Sequence, residues 1–416
     1  MAKPLKILFL SQYFPPEMGA PSARTHELSR HWVELGQDIK VITGFPHHPT
    51  GIISPEYKQH FLKTEKIDGI KVIRTYVYPT ANKGFIKRIL SYISFMFSSI
   101  ILGSWKTGHV DIVIATSPHF FVAIAGYIIS RLKGKPFVFE VRDLWPESII
   151  QLGQIRNQYI IKALEAIESF LYKRAHLIIS VTNSFVPIIV EKGVSDNKIR
   201  IVTNGVDLTL FSPHKYDTAL KKRLELDDKF IVSYIGTHGL SHALDKVIET
   251  AYLMRNMKNV HFLLIGEGAE KENLIKQREN LSLKNVTFLS QIEKQALPYY
   301  YSLCHIVLIT LRDLEIFRTV LPSKMFEIMA MAKPIILSVD GEARELVVEK
   351  ARAGIFVEPE NSDALNKAIS YLYENRKLRQ ELGENGRRFV EKNYSRKAKA
   401  DTYLSFLQEL QISLHL

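Results

Sequence analysis

KFIVSYIGTHGLSHALDKVIETA, residues 229–251, decides the fold class. An apolar run, KFIVSYIG (229–236), stops at a glycine, and a short loop then leads into an amphipathic stretch. A short apolar run bounded by turn residues is a buried strand and the longer stretch a helix, so the segment is one strand–loop–helix unit of a parallel sheet. Toward the C-terminus the unit recurs at VHFLLIG (260–266), VTFL (286–289), HIVLIT (305–310), KPIILSV (333–339) and AGIFV (353–357). Toward the N-terminus the strands are KILFL (6–10), IKVIT (39–43), IKVIRTY (70–76), DIVIA (111–115), PFVFEV (136–141) and HLIISV (176–181), with helices between them such as 22–35 and 158–174. From about residue 362 the tail reads as consecutive helices.

The alternation lapses once, at TNGVDLTLFSP (203–213), where turn residues cluster. At 416 residues the chain is also longer than one core usually supports. The expected fold is therefore α/β: two Rossmann-like doubly wound domains, 1–208 and 209–394, facing each other across a cleft. Ligands of such sheets bind beyond the C-terminal ends of the strands, which directs the search for function to the loops that follow them.

Composition removes several classes. Cys304 is the sole cysteine, which excludes an intramolecular disulfide and a zinc site of several thiolates. The apolar run of MAKPLKILFL is too short for a secretory signal, so cytoplasmic residence is expected. The net charge of +12 is uneven, +9 in residues 1–210 and +3 in the rest, which suits an anionic partner such as a phospholipid surface or a diphosphate. No nucleic-acid-binding module is recognisable, and nucleic acid is not an expected partner.

Candidate residues follow the strands. In SQYFPPEMGAPSARTHEL, Gly19 stands before a helix expected near Ser22, whose free amides suit a diphosphate; Arg24 and His26 lie one turn in. His47 and His48, adjacent in GFPHHPTG, lack metal-ligand spacing and read as loop residues of the cleft. His119, in TSPHFFVAIAG, opens an apolar helix, where it can meet a sugar hydroxyl or simply cap the helix. EVRDLWPES places Arg142, Asp143 and Glu147 just past a buried strand, either as a structural ion pair or as a pocket lining. In the back half Gly236, Thr237, His238 and His242 form one strand-to-helix loop and Gly266 opens a second; neither holds the three-glycine dinucleotide fingerprint.

The strongest local signal is FRTVLPSKMFEIMAMAKPIILSV. Pro322 is expected at the first helical position, which leaves Ser323 and Lys324 at a helix start that favours phosphate. Glu327, one turn on, has the carboxylate to accept both hydroxyls of a ribose.

Taken together, FPPEMGAPSARTHELSRHWVELGQDIKVITGFPHHPTG, VRDLWPES, YIGTHGL, LPSKMFEIMAMAKP and VDGEARELV resemble the family-4 retaining glycosyltransferases of the GT-B fold, over nearly the whole chain. The form most similar is the bacterial transferase of O-antigen and capsule assembly, in particular the branch using UDP-N-acetyl-L-fucosamine. That resemblance implies a front domain for the acceptor and a back domain for a UDP-sugar. It implies Glu327 on the ribose, Lys324 and Ser323 on the diphosphate, Gly19 on the diphosphate from the other side and His119 on the donor sugar. Arg142 and Asp143 would lie by the sugar or the acceptor, and a final helix, about 395–416, would return to the front domain. The acceptor implied is a saccharide on a polyprenyl diphosphate.

Two departures stand out. The family often carries a glutamate eight positions before Glu327, where this chain has Thr319, and its usual arginine and lysine after the first back-domain strand are Thr237 and His242 here. Charge for the leaving diphosphate then falls to Lys324 and Arg318. No acidic pair with the roles found in glycosidases emerges, and no paired-aspartate motif, so neither a metal nor another cofactor is expected. GFIKRILSYISFMFSSIILGSWK (84–106) has Lys83, Lys87, Arg88 and Lys106 at its ends and is interrupted by Ser91, Ser94 and Ser98. It reads as a helix lying on the inner face of an anionic membrane, with Phe95 and Phe97 toward lipid, or else as a core helix. The rival functions are a GT-B-fold UDP-sugar epimerase and a nucleotide-sugar-binding protein with a degenerate site.

Overall fold

The computed structural model describes residues 4–414 except 49, 59, 81–84, 118 and 214–216. It forms two compact units, Met1–Thr203 with Arg396–Leu416, and Asn204–Ser395. Each is an α/β domain built on its own sheet.

Unit 1 holds β1 (Lys6–Leu10), β2 (Asp38–Gly44), β3 (Leu62–Ile67), β4 (Ile70–Thr75), β5 (Ile112–Thr116), β6 (Phe137–Val141), β7 (Leu177–Ser180) and β8 (Ile199–Ile201). Their order is β3-β4-β2-β1-β5-β6-β7-β8. All neighbours are parallel except β3 and β4, an antiparallel hairpin. The order reverses at β1, whose chain neighbours run to opposite sides, so the crevice for a ligand lies past the C-terminal ends of β1 and β5. β3 is absent from the sequence reading because its alternating LKTEKI is an edge strand, half exposed, with no apolar run. Asp68 and Gly69 both adopt positive φ at its turn, the pairing that closes a two-residue hairpin.

The first helix is Ala20–Glu34, beginning two residues before the expected Ser22. The last, Arg396–Ser413, lies along it in the same unit. Trp32 Nε1 donates to the Ala400 carbonyl at 2.9 Å, His31 meets Asp401 at 2.7 Å, and Arg396 pairs with Glu27. The chain therefore enters unit 1 twice, once at each end of the sequence.

Unit 2 holds β9 (Phe230–Ile235), β10 (Val260–Ile265), β11 (Val286–Leu289), β12 (Ile306–Thr310), β13 (Ile335–Ser338) and β14 (Gly354–Phe356). All neighbours are parallel, in the order β11-β10-β9-β12-β13-β14. Counted within the unit this is 3-2-1-4-5-6, the arrangement of nucleotide-binding sheets, with its switch point between β9 and β12. The helix Lys324–Ala330 buries Met325, Phe326, Ile328 and Met329 completely. It starts two residues later than the sequence indicates. The Pro322 carbonyl first closes a turn onto the Met325 amide at 3.0 Å, and Ser323 takes the capping position.

Candidate functional site

In unit 2 the loops after β9 and β10 are packed backbone against backbone. A Cβ on Gly266 (φ +150°) would collide with the Gly236 carbonyl oxygen, so that position excludes every other residue. Gly236 (φ +148°) leaves room of a different kind: a Cβ there would strike Lys324 Nζ. Lys324 thus leans over the glycine at the switch point. Its ammonium lies 3.7 Å from the centroid of the Tyr234 ring and has no hydrogen-bond partner among the described residues. The Tyr234 hydroxyl is itself spent on the Thr237 carbonyl at 2.8 Å.

An ammonium held by one aromatic face in a dry site is costly to keep charged. Burial pulls Lys324 down to about 7 from an ordinary 10.5, with the Glu327 carboxylate resisting the shift. Burial first, and the Lys324 charge after it, also pulls His242 down to about 3. His238, fully buried with both ring nitrogens unpartnered, falls to about 4 by burial and then by Lys271 and Lys324. Both imidazoles are neutral at pH 7, so the positive charge available to an anion in this loop is that of Lys324. Lys271 is not free for that role, since it is bonded to the Gly266 and Leu289 carbonyls and to Glu267.

Around this centre the other back-half candidates divide. Glu327 neighbours the buried Tyr301 phenol, which burial first and that carboxylate second hold well above its usual range. Ser323 caps the helix without a side-chain bond of its own to it. Thr237 is exposed. Arg318, expected beside Lys324, is instead half exposed and 3.6 Å from Asp313. Such an exposed pair contributes little. Thr319, in the place of the missing glutamate, bonds the Ile316 carbonyl at 2.6 Å and closes its own turn.

In unit 1 the corresponding crevice gathers residues from three loops and one helix. Glu17 is buried; its Oε1 accepts the His47 amide at 3.0 Å and the His48 amide at 2.9 Å, while Oε2 is buried without a partner among the described residues. Burial raises its carboxyl to about 7 against the pull of those amides and of Arg74. His47 Nδ1 donates to the Phe45 carbonyl at 2.9 Å, and His48 is held down to about 4 by burial and neighbouring positive charge. Tyr13 lies edge-on to His48 with centroids 5.3 Å apart. His119 stacks on Tyr92 at 3.7 Å with both ring nitrogens buried and, among the described residues, unpartnered, and burial lowers it to about 3. It is therefore neither a surface group nor a side-chain cap.

Arg24, expected in the cleft, ties secondary structure together instead. Its guanidinium is buried on Glu140 at 2.9 Å and on the Val202 and Thr203 carbonyls, a staple that ties the first helix to β6 and to the loop after β8. His26 pairs with Asp68 at 2.7 Å near the surface. Gly19 is exposed at φ +139° just ahead of the helix Ala20–Glu34. Arg142 and Asp143 are not bonded to each other as an ion pair. Arg142 Nε and Nη1 are buried and unpartnered among the described residues, and burial lowers that guanidinium to about 10. Burial raises Asp143 to about 6, and it accepts the Ser148 hydroxyl at 3.2 Å. Glu147 is bonded to Gln151 at 2.8 Å.

The helix Phe85–Ser98 continues through a π-turn at Ser99–Gly103 to Ser104–Lys106. Lys83 and Gly84 lie outside the described residues. Ser91 and Ser98 face inward, Ser98 bonding Thr75 at 3.0 Å, while Ile86, Leu90, Phe97, Ile101 and Trp105 are exposed. Phe95, expected toward lipid with Phe97, is fully buried.

Set beside known proteins, the chain matches Glycosyltransferase Family 4 over residues 22–210 and Glycosyl transferases group 1 over residues 216–389. The chain belongs to the family-4 glycosyltransferases of the GT-B fold. The glycosyltransferase is 26% identical over 377 residues to the putative colanic acid biosynthesis glycosyl transferase WcaI of Escherichia coli K12, covering 88% of this chain and 91% of that one. It is 28% identical over 226 residues to the N,N'-diacetylbacillosaminyl-diphospho-undecaprenol alpha-1,3-N-acetylgalactosaminyltransferase of Campylobacter jejuni, covering 51% of this chain and 55% of the relative. In fold it is similar to Anabaena Alr3699/HepE in complex with UDP and glucose, with a TM-score of 0.74 at 18% identity over 97% of this chain and 99% of the other.

Sequence reasoning about the glycosyltransferase passed over Gln12, Tyr13, Glu17 and Tyr92. Glu17 stands inside a quoted motif, and a carboxylate two residues before a helix-initiating glycine, in a loop after a buried strand, was a signal. Tyr92 had none, because it sits on a helix whose sequence reads as amphipathic. Among the described residues no group of three or more His, Cys, Asp or Glu side chains is placed to hold a metal.

Proposed function

We propose that this glycosyltransferase is a retaining enzyme that moves a sugar from a UDP-sugar onto a saccharide carried by a polyprenyl diphosphate, in O-antigen or capsule assembly. The observation that carries the reading is Lys324: a buried, unpartnered ammonium over the Tyr234 ring at the switch point of the unit 2 sheet. An anion supplies what that site lacks, and a departing diphosphate is the anion a family-4 transferase generates. The names of the relatives support the acceptor class, since one of them acts on a diphospho-undecaprenol saccharide.

In this reading Glu327 accepts the ribose hydroxyls, Ser323 and Lys324 hold the diphosphate, and Arg318 adds a solvated charge. The neutral His119 offers its ring nitrogens to hydroxyls of the transferred sugar. Arg142 and Asp143 serve the acceptor. As the bond from the anomeric carbon to the phosphate oxygen breaks, the acceptor oxygen bonds the same face and its proton passes to the departing phosphate. Fixed positive charge at the leaving group lowers such a barrier by several kcal/mol. Lys324→Ala turning over donor at the wild-type rate would remove the assignment.

The sugar proposed is an N-acetylated 6-deoxyhexosamine such as N-acetyl-L-fucosamine. The test is a panel of UDP-sugars offered with a polyprenyl-diphosphate-sugar acceptor and read by mass spectrometry. Good turnover of UDP-glucose beside failure of the deoxyhexosamines would refute that donor, and conversion of donor without acceptor would mark an epimerase. No metal takes part in this scheme, so full activity is expected in chelator; loss of activity restored by manganese would overturn it.

The helix from Phe85 to Lys106 is proposed to lie on the cytoplasmic face of the membrane. By length and composition Ile86–Lys106 is also apolar enough to cross a bilayer. Its inward serine bonds and the packing of Gly103 against Ile42 and Thr75 fasten it to the sheet, which favours an interfacial position.

A further inference from the structure

We propose that Glu17 and Gln12 form a hydroxyl-binding subsite for the acceptor sugar, with Glu17 Oε2 accepting a hydrogen bond from an acceptor hydroxyl. The inference rests on the glycosyltransferase reading and gives an acceptor role to two residues that have none in it. Both residues follow β1, at the reversal of strand order in unit 1, where a doubly wound sheet receives its ligand.

The geometry is that of a site with acceptors left over and donors used. Glu17 is 6% exposed and Gln12 is 2% exposed. Glu17 Oε1 is committed to the His47 and His48 amides, and the Gln12 amide nitrogen donates to Ser91 at 3.2 Å. Glu17 Oε2 and Gln12 Oε1 are left over, each buried and without a donor among the described residues. Buried polar atoms in native proteins are nearly always partnered, so a pair of orphans after one strand marks where something binds. Two orphan oxygens, one on a carboxyl, repel a phosphate and reward a ligand that brings O–H donors. A sugar does so, and Tyr13, the residue after Gln12, brings an aromatic ring to the same loop, edge-on to His48. A buried water is the competing occupant.

The experiment uses the full chain and needs no natural acceptor. Methyl glycosides of N-acetylglucosamine, N-acetylgalactosamine and glucose are titrated by saturation-transfer NMR in the presence of UDP, with wild type, Glu17→Gln and Gln12→Leu. Glu17→Gln keeps one carbonyl oxygen for the two histidine amides and replaces only the orphan. Losing an ordinary hydrogen bond weakens binding by about fivefold, so that loss is expected for at least one glycoside with the UDP affinity unchanged. Wild-type glycoside affinity in both variants, or no glycoside binding by wild type that binds UDP, overturns the subsite. Failure of wild type to bind UDP would count against the donor reading instead. Should Glu17→Gln melt early, Gln12→Leu decides alone.

Discussion

The affinity for UDP should fall steeply as pH rises from 7 to 9, and Lys324 should be the cause. Its ammonium is desolvated, faces an aromatic ring, and is held at about 7. A bound diphosphate favours the charged form, so the bound complex has a higher pKa than the free protein, and binding takes up a proton. The sign follows: affinity is full where free Lys324 is protonated, below about 7, and is lost as pH rises through that value. If only the ammonium form binds, the protonated fraction drops from about one half at pH 7 to about one hundredth at pH 9, a limit of about fiftyfold or ~2.3 kcal/mol. His238 and His242 do not contribute, because burial keeps both neutral across that range. The assay is calorimetric titration of UDP in two buffers of different ionisation enthalpy, which should register about half a proton taken up at pH 7. Lys324→Arg should bind with little pH dependence, since its guanidinium stays charged. Lys324→Met should bind weakly at every pH. A flat wild-type profile between pH 7 and 9, or the same slope in Lys324→Arg, would refute the reasoning.

Three further outcomes are expected. Gly266→Ala should destabilise the protein by about 3 kcal/mol or more, because the new methyl meets the Gly236 carbonyl at a backbone angle closed to alanine; an unchanged melting temperature would contradict the packing. Arg24→Ala should cost about 3–5 kcal/mol by leaving Glu140 charged and buried, read as a lowered midpoint in urea; a wild-type midpoint would return Arg24 to the crevice. Replacing Phe97, Ile101 and Trp105 by serine should abolish flotation with vesicles rich in anionic lipid while the fold persists, and equal flotation of the variant would place the helix elsewhere than on lipid.

Twelve strands were legible as apolar runs, because a strand buried on both faces leaves a continuous mark in the sequence. β3 and β8 were not: one is an alternating edge strand and the other is three residues long. At the candidate site, the loops were legible and the allotment of their residues was not. Arg24 and Arg142 look alike in sequence, each a basic residue near the end of a strand–loop unit. Folding gives Arg24 the Glu140 carboxylate and two carbonyls, and leaves Arg142 Nε and Nη1 with none.

By itself, the sequence determined that two largely parallel sheets form, where their glycine loops fall, and which family the motifs resemble. Those features follow from local periodicity and from residue types that only certain backbones accept. Tertiary structure alone decided which polar atoms go unpartnered. Glu17 and Lys324 owe their shifted protonation to burial by residues far from them in the chain, and desolvation is set by everything that packs around a group. The same reason set the rotation of the helix after Phe85: Ser98 turned inward because Thr75 and the Tyr76 carbonyl were there to bond it, and Phe95 is buried while Phe97 stays exposed.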